Sequence, residues 1–230
     1  ATVMFKGDLD VHQLEHAFKE LISRHEILRT FFKSDNNGDV HQYIVSAEAL
    51  DFAIATEDFS ALENPQEAVI VYLHTRNSEA FDLEKAPLLR CALIKINDKE
   101  HVFYLSMHHI ISDGWSMELM VKEIVIIYNA LVQGKNIQLP ELKIQYKDYA
   151  AWLNNEVQKE KYKVSEQYWL NQLSGTIPVL ELPAFKNRPL IKTYNGNDVQ
   201  YTFSKQLFEK LKAFSNQYDV TLFMTLMTGI

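Results

Sequence analysis

The spacing of hydrophobic and polar positions changes several times along this chain, and each change predicts an element. Residues 2–6 form a short strand-like apolar run. From Val11 onward, Leu14, Phe18, Leu21, Ile22 and Leu28 recur at helical spacing, which predicts a helix with one face on a sheet. Its start is marked by Asp10, which can cap, by Gln13 at the third helical position, and by Leu9 and Leu14 spaced as a hydrophobic staple. Thr30-Phe31-Phe32 opens a new strand, and Asn36-Asn37-Gly38-Asp39 is a hairpin turn into a strand at residues 40–45. A short strand at residues 52–56 follows. Asn64-Pro65-Gln66-Glu67 then starts a second helix, with a cap, a proline at the first position and an acid in the first turn, reaching Ser78.

The middle of the chain is the most β-like. Residues 88–96 predict a strand, Asn97-Asp98-Lys99 a turn, and residues 101–106 the returning strand. A helix is expected at residues 117–131, stopped near Gly134, and a second helical region at residues 146–173. Pro178, Pro183 and Pro189 then mark a crossing segment. A strand at 199–203, an amphipathic helix at 205–218 and the start of another at 221–227 complete the pattern. Hairpins with segregated helices, rather than a regular β-α alternation, predict an α/β (α+β) class with a mixed, largely antiparallel sheet covered by helices. Two parts are expected, 1–177 and 178–230.

Composition narrows the function classes. The chain has 230 residues, 47% hydrophobic and 23% charged, with a net charge of −7. With a pI near 5.6, it is a poor match for nucleic acid or an anionic membrane as main partner. No apolar run has membrane-spanning length and the N-terminus has no signal-peptide pattern, so a cytoplasmic protein is expected. The single Cys91 excludes an internal disulfide framework and a cysteine-based zinc site. The chain begins in a strand-like run and stops in an apolar one, as a piece of something longer would.

The chemistry concentrates where the β-like run at 101–106 gives way to a helix, in His108-His109-Ile110-Ile111-Ser112-Asp113-Gly114-Trp115-Ser116. Neighbouring residues of a strand face opposite ways, so two adjacent extended histidines are poor ligands for one metal. One histidine, His109, is expected to serve as the base, and His108 as packed scaffold. Asp113 is expected to hold the turn, either by accepting backbone N–H bonds or by pairing with an arginine. Gly114 is expected to supply a backbone conformation or close approach that a Cβ would obstruct. Trp115 lines the cleft or lies in the core, with the core the safer placement.

The motif closely resembles the core motif of condensation domains of non-ribosomal peptide synthetases. Three further stretches agree in order: Arg24-His25-Glu26-Ile27-Leu28-Arg29-Thr30-Phe31-Phe32, Phe81-Asp82-Leu83 with Pro87-Leu88-Leu89-Arg90, and Tyr146-Lys147-Asp148-Tyr149-Ala150-Ala151-Trp152. The histidine motif alone would also fit chloramphenicol acetyltransferase and other acyltransferases. The resemblance implies the first of two acetyltransferase-like lobes plus the start of the second, without the family's opening Ser-x-Ala-Gln-x-Arg motif, and hence half of a site. It implies amide-bond formation between a donor thioester and an aminoacyl acceptor. Both are carried on the phosphopantetheine of peptidyl carrier proteins, with an adenylation domain in the same synthetase and no cofactor or metal held directly. His109 is then the general base or a positioning and charge-stabilising group. Arg29 braces the turn, through Asp113, or makes an ordinary ion pair. Arg24, His25, Tyr146, Asp148 and Trp152 are expected to pack and cap. Three alternatives stay open: an epimerisation domain, a coenzyme A-dependent acyltransferase and a non-catalytic interaction lobe.

Overall fold

The computed structural model describes residues 1–178, 189–191, 193 and 199–229, so Pro183 and most of the expected crossing segment lie outside the described residues. In chain order the elements are β1 (Thr2–Lys6), α1 (Val11–Arg24), β2 (Thr30–Ser34), β3 (Val40–Ile44), β4 (Ala55–Asp58), α2 (Pro65–Ser78), β5 (Leu89–Asn97), β6 (Glu100–Met107), α3 (Gly114–Val132), α4 (Tyr146–Leu153), α5 (Glu156–Gln172), α6 (Lys205–Gln217) and α7 (Leu222–Met227). The chain divides into two compact units, Ala1–Ser174 and Gly175–Ile230.

The first unit is built on a sheet of order β1-β6-β5-β4, with β2 and β3 as a separate two-stranded hairpin. β1 and β5 flank β6 in antiparallel pairing, and β4 joins β5 in parallel. Period two explains the layers: Phe103 and Leu105 of β6 pack with α1 and α3, whereas Val102 and Tyr104 pack with residues of α2. Both faces are covered, so the strand reads as an unbroken apolar run. On α1 the buried stripe is Leu14, Ala17, Phe18, Leu21 and Ile22. Its start is capped by Asp10, which accepts the Gln13 N–H at 3.0 Å. Gln13 does not return the bond, since its Oε1 is buried without a partner.

Some predicted elements moved, each for a local reason. A strand was expected from Phe52, and Phe52 and Ile54 are buried, but pairing begins only at Ala55, because the Ile54 N–H donates to Glu15 Oε2 instead of a strand. Asn64 makes no side-chain cap at α2, although Pro65 does open the helix. The helical region 146–173 is interrupted at Asn154-Asn155. Residues 199–203 are not a strand: alternating β-branched and aromatic residues favour a pleated strand, but a strand is defined by a regular backbone ladder. Within the second unit, Ser204 caps α6 through the Leu207 N–H at 3.2 Å and Thr221 caps α7 through the Met224 N–H at 3.2 Å. The hydroxyls of Ser215 and Thr225 join those two helices at 2.7 Å.

Candidate active site

The β5–β6 ladder runs to Leu89 opposite Met107, and the His108 N–H extends it by one bond to the Leu88 carbonyl at 3.0 Å. The chain then turns on His108. Its carbonyl accepts the Ile111 N–H at 3.1 Å and the Ser112 hydroxyl at 3.3 Å, and its Nδ1 accepts the Ile110 N–H at 3.1 Å. An imidazole that accepts at Nδ1 carries its proton on Nε2. The ring packs edge-to-face on Phe81 with centroids 6.1 Å apart. Ile111, buried in the main core, pins the far side of the turn. His108 is thereby consumed by structure, and His109, the next residue, is exposed.

Two clefts meet at His109. One, of about 310 Å³, is lined by Leu105, Met107, Gly114 and Met117. The other, of about 350 Å³, is lined by the apolar side chains of Ile27, Ile110, Trp115, Leu119 and Tyr146. His109, Ser112 and Asp113 border both. A group on His109 can therefore be approached from either side.

Asp113 opens α3 as half of a capping box. Its Oδ1 accepts the Ser116 N–H at 2.8 Å, and the Ser116 hydroxyl accepts the Asp113 N–H at 2.7 Å. The Ser116 backbone bond is the main cause that holds the Asp113 carboxyl below its ordinary range. The Ser116 hydroxyl, the charge of His109 and the Trp115 N–H act in the same direction. A carboxylate so engaged remains an anion and orders the loop. Ser116 was a residue that motif reading passed over; its Asp-x-x-Ser spacing was the available signal.

Of the two readings left open for Arg29, the structure bears out the ion pair, and two other expectations are corrected. Arg29 does not reach Asp113: it donates to the Val45 carbonyl at 2.5 Å and faces Glu26 at 3.7 Å, tying the turn at Glu26–Arg29 to the residue after β3. The carboxylate it was to meet is turned into the start of α3. Trp115 is not core but 82% exposed. At ~100° per residue it lies about 140° around α3 from the buried Met120. Gly114 adopts an ordinary helical start, and a Cβ built there meets nothing within 4 Å. The space it leaves open belongs to the first cleft.

Behind the turn lies a buried ionic group. Glu123 on α3 is only 5% exposed; it meets Arg24 Nε at 3.2 Å and His25 Nε2 at 2.6 Å. Arg24 also donates to the Pro140 carbonyl. Gln145 bridges the same region, donating to the Arg24 carbonyl at 2.9 Å and accepting the Glu26 N–H at 3.2 Å. Asp148 caps α4 through the Gln145 N–H at 2.8 Å, whereas the rings of Tyr146 and Trp152 remain half exposed. Glu123 was missed from the sequence, although an acid between Met120 and Ile127 interrupts an apolar stripe at helical spacing. Cys91 is buried in β5 and burial pushes its thiol far up, which leaves it inert as a nucleophile. Among the described residues, no cluster of three or more His, Cys, Asp or Glu is arranged to hold a metal ion, and no helix is long and apolar enough to cross a membrane.

The comparison with known families then decides the membership. A family model described as the condensation domain matches residues 1–229. The chain belongs to the condensation-domain family. It is 38% identical over 224 residues to bacitracin synthase 1 of Bacillus licheniformis, covering 97% of this chain and 4% of that protein. It is 40% identical over 228 residues to gramicidin S synthase 2 of Brevibacillus brevis, covering 99% of this chain and 5% of that one. Among solved structures it is similar to the X-domain from teicoplanin biosynthesis, with a TM-score of 0.77 and 27% identity over 96% of this chain and 48% of that one. It is also similar to the epimerization domain from the third module of tyrocidine synthetase B, with a TM-score of 0.67 and 25% identity over 78% of this chain and 41% of that one. The chain thus spans a small share of its curated relatives and about half of the structures it matches. As a condensation-domain member it carries the expected α/β class, with helices on a mixed sheet.

Proposed function

We propose that this chain is the lobe of a condensation domain that supplies the histidine turn for amide-bond formation on a peptide synthetase, with residues 178–230 the crossing segment and start of the second lobe. The substrates are two thioesters on the phosphopantetheine arms of an upstream and a downstream carrier protein, the acceptor being loaded by an adenylation domain. The acceptor nitrogen attacks the donor carbonyl; a C–N bond forms, the C–S bond breaks, and the donor thiol departs. His109 accepts the proton that the amine must lose and returns it to the leaving thiolate. An imidazole can both take up and release a proton near neutral pH, which suits both transfers. Holding both tethered ends at one point supplies a further large share of the rate.

The observation that carries this reading is the contrast between the two histidines: His108 is hydrogen-bonded and packed edge-to-face on Phe81, and His109 is exposed where two clefts meet. Each cleft is within the size range of small-ligand sites. The test is product formation from donor and acceptor loaded on carrier proteins, beside the same acyl groups as coenzyme A thioesters. Turnover with carriers and little with coenzyme A is expected; the reverse preference would make the protein a soluble-thioester acyltransferase, and loss of label from Cα without a new amide would make it an epimerase.

A second reading has one observation in its favour. The X-domain of teicoplanin biosynthesis, to which the chain is similar at 29% identity and a TM-score of 0.70, was solved in complex with OxyB. A docking lobe that recruits a partner enzyme would bind that partner and yield no amide in the same assay.

A further inference from the structure

The geometry points to Arg90 as a positioning residue for His109, acting through Phe81 and His108. This rests on the reaction proposed above, because it concerns the turn that presents the base. Arg90 lies on β5 directly opposite Ser106 of β6, two residues before His108. Its guanidinium lies over the Phe81 ring, 4.0 Å from the centroid. Two of its N–H groups are fixed by backbone carbonyls, Glu79 at 2.8 Å and Ala80 at 2.6 Å. The Glu79 carboxylate stands 3.7 Å away. These contacts hold the segment that carries Phe81, and the other partner of that ring is His108.

The arrangement is thus a relay in which the cation lies over the arene face and the arene meets the imidazole edge-to-face, ending on the ring whose Nδ1 anchors the Ile110 N–H. Arginine is suited to its first position, since a planar fork can satisfy two carbonyls while its face lies on an arene. The relay selects one ring orientation of His108, and with it one tautomer. That tautomer fixes the path of Ile110 and hence the position of His109 between the two clefts. Arg90 touches neither cleft and makes no contact with His109, so its influence passes through the relay.

Two measurements test this. Ring-nitrogen NMR of the histidine-labelled chain at about pH 8, above the unperturbed imidazole range, reads the His108 tautomer, with assignment by His108→Asn. Kinetics of the parent synthetase read kcat and KM. The wild type is expected to show His108 with its proton on Nε2. Arg90→Met is expected to give mixed tautomers and a kcat lower by up to about 100-fold, the scale of a catalytic group misplaced from a distance, with KM for both carriers unchanged. Phe81→Leu is expected to do the same, Phe81→Tyr to restore both readouts, and the double variant Arg90→Met, Phe81→Leu to add nothing further. If Arg90→Met does not fold, Phe81→Leu, which keeps the two carbonyl bonds, carries the test alone. An unchanged His108 spectrum in the variants, with or without loss of kcat, would overturn the inference. A single tautomer in the wild type and mixed tautomers in the variants, in a parent protein that forms no amide even as wild type, would uphold the relay and overturn the reaction instead.

Discussion

The Ser116 N–H reaches the Asp113 carboxylate at 2.8 Å while the Ser116 hydroxyl takes the Asp113 N–H at 2.7 Å. This reciprocal pair joins the histidine turn to α3, so losing it should loosen both. Asp113→Ala is expected to lower the melting temperature. Asp113→Asn, which still caps, should retain most of that stability at neutral pH. The acid dependence separates the two forms of the cap. The folded carboxyl is held below its ordinary value of 3.8, so its stabilisation is full above that value and is lost as pH falls through the lower folded value. The gap between wild type and Asp113→Asn should therefore close below about pH 4. An unchanged melting curve for Asp113→Ala would contradict the capping role.

Glu123 sits between Arg24 and His25, with its side chain 7% exposed. Removing one partner of a buried ionic group strands the others, at a cost of about 3 kcal/mol. Glu123→Ala is expected to lose that much in urea unfolding of the chain. A loss within that of an exposed ion pair, below about 1 kcal/mol, would show that Arg24 and His25 find water instead.

Gly114 has open space at its Cβ and an ordinary conformation. Gly114→Ala should therefore leave stability unchanged or raise it by about 0.5 kcal/mol through helix propensity. Because that space is part of the first cleft, the same variant should lower kcat/KM in the parent protein. A drop in melting temperature would show that the glycine serves the fold rather than the cleft.

The fold was legible where one residue pattern had one outcome. The stripe of α1, the β5–β6 hairpin and the order of elements follow from apolar spacing and turn residues alone. The strand expected at 199–203 is not formed, because a β pattern states a capacity for a regular ladder and does not by itself build one. At the site, strand alternation led to separate placements for His108 and His109, but both lie past the end of β6, and the contrast comes from the turn, which binds His108 and leaves His109 exposed. The placements of Arg29 and Trp115 were not legible. Each depends on which way a side chain leaves its helix or turn, and on competing acceptors such as the Val45 carbonyl that no local pattern announces. Glu123 was hidden for the related reason that a buried acid is tolerated only by partners distant in sequence.

The central claim is that His109 is the base, and one substitution tests it directly. In the parent synthetase, His109→Ala is to be assayed for amide product with donor and acceptor loaded on their carrier proteins, beside a melting curve. Product formation should be abolished or severely reduced, by at least the ~100-fold that a general base contributes, with the melting temperature little changed, since the His109 ring is exposed. Near-normal product from a folded His109→Ala protein would contradict the account.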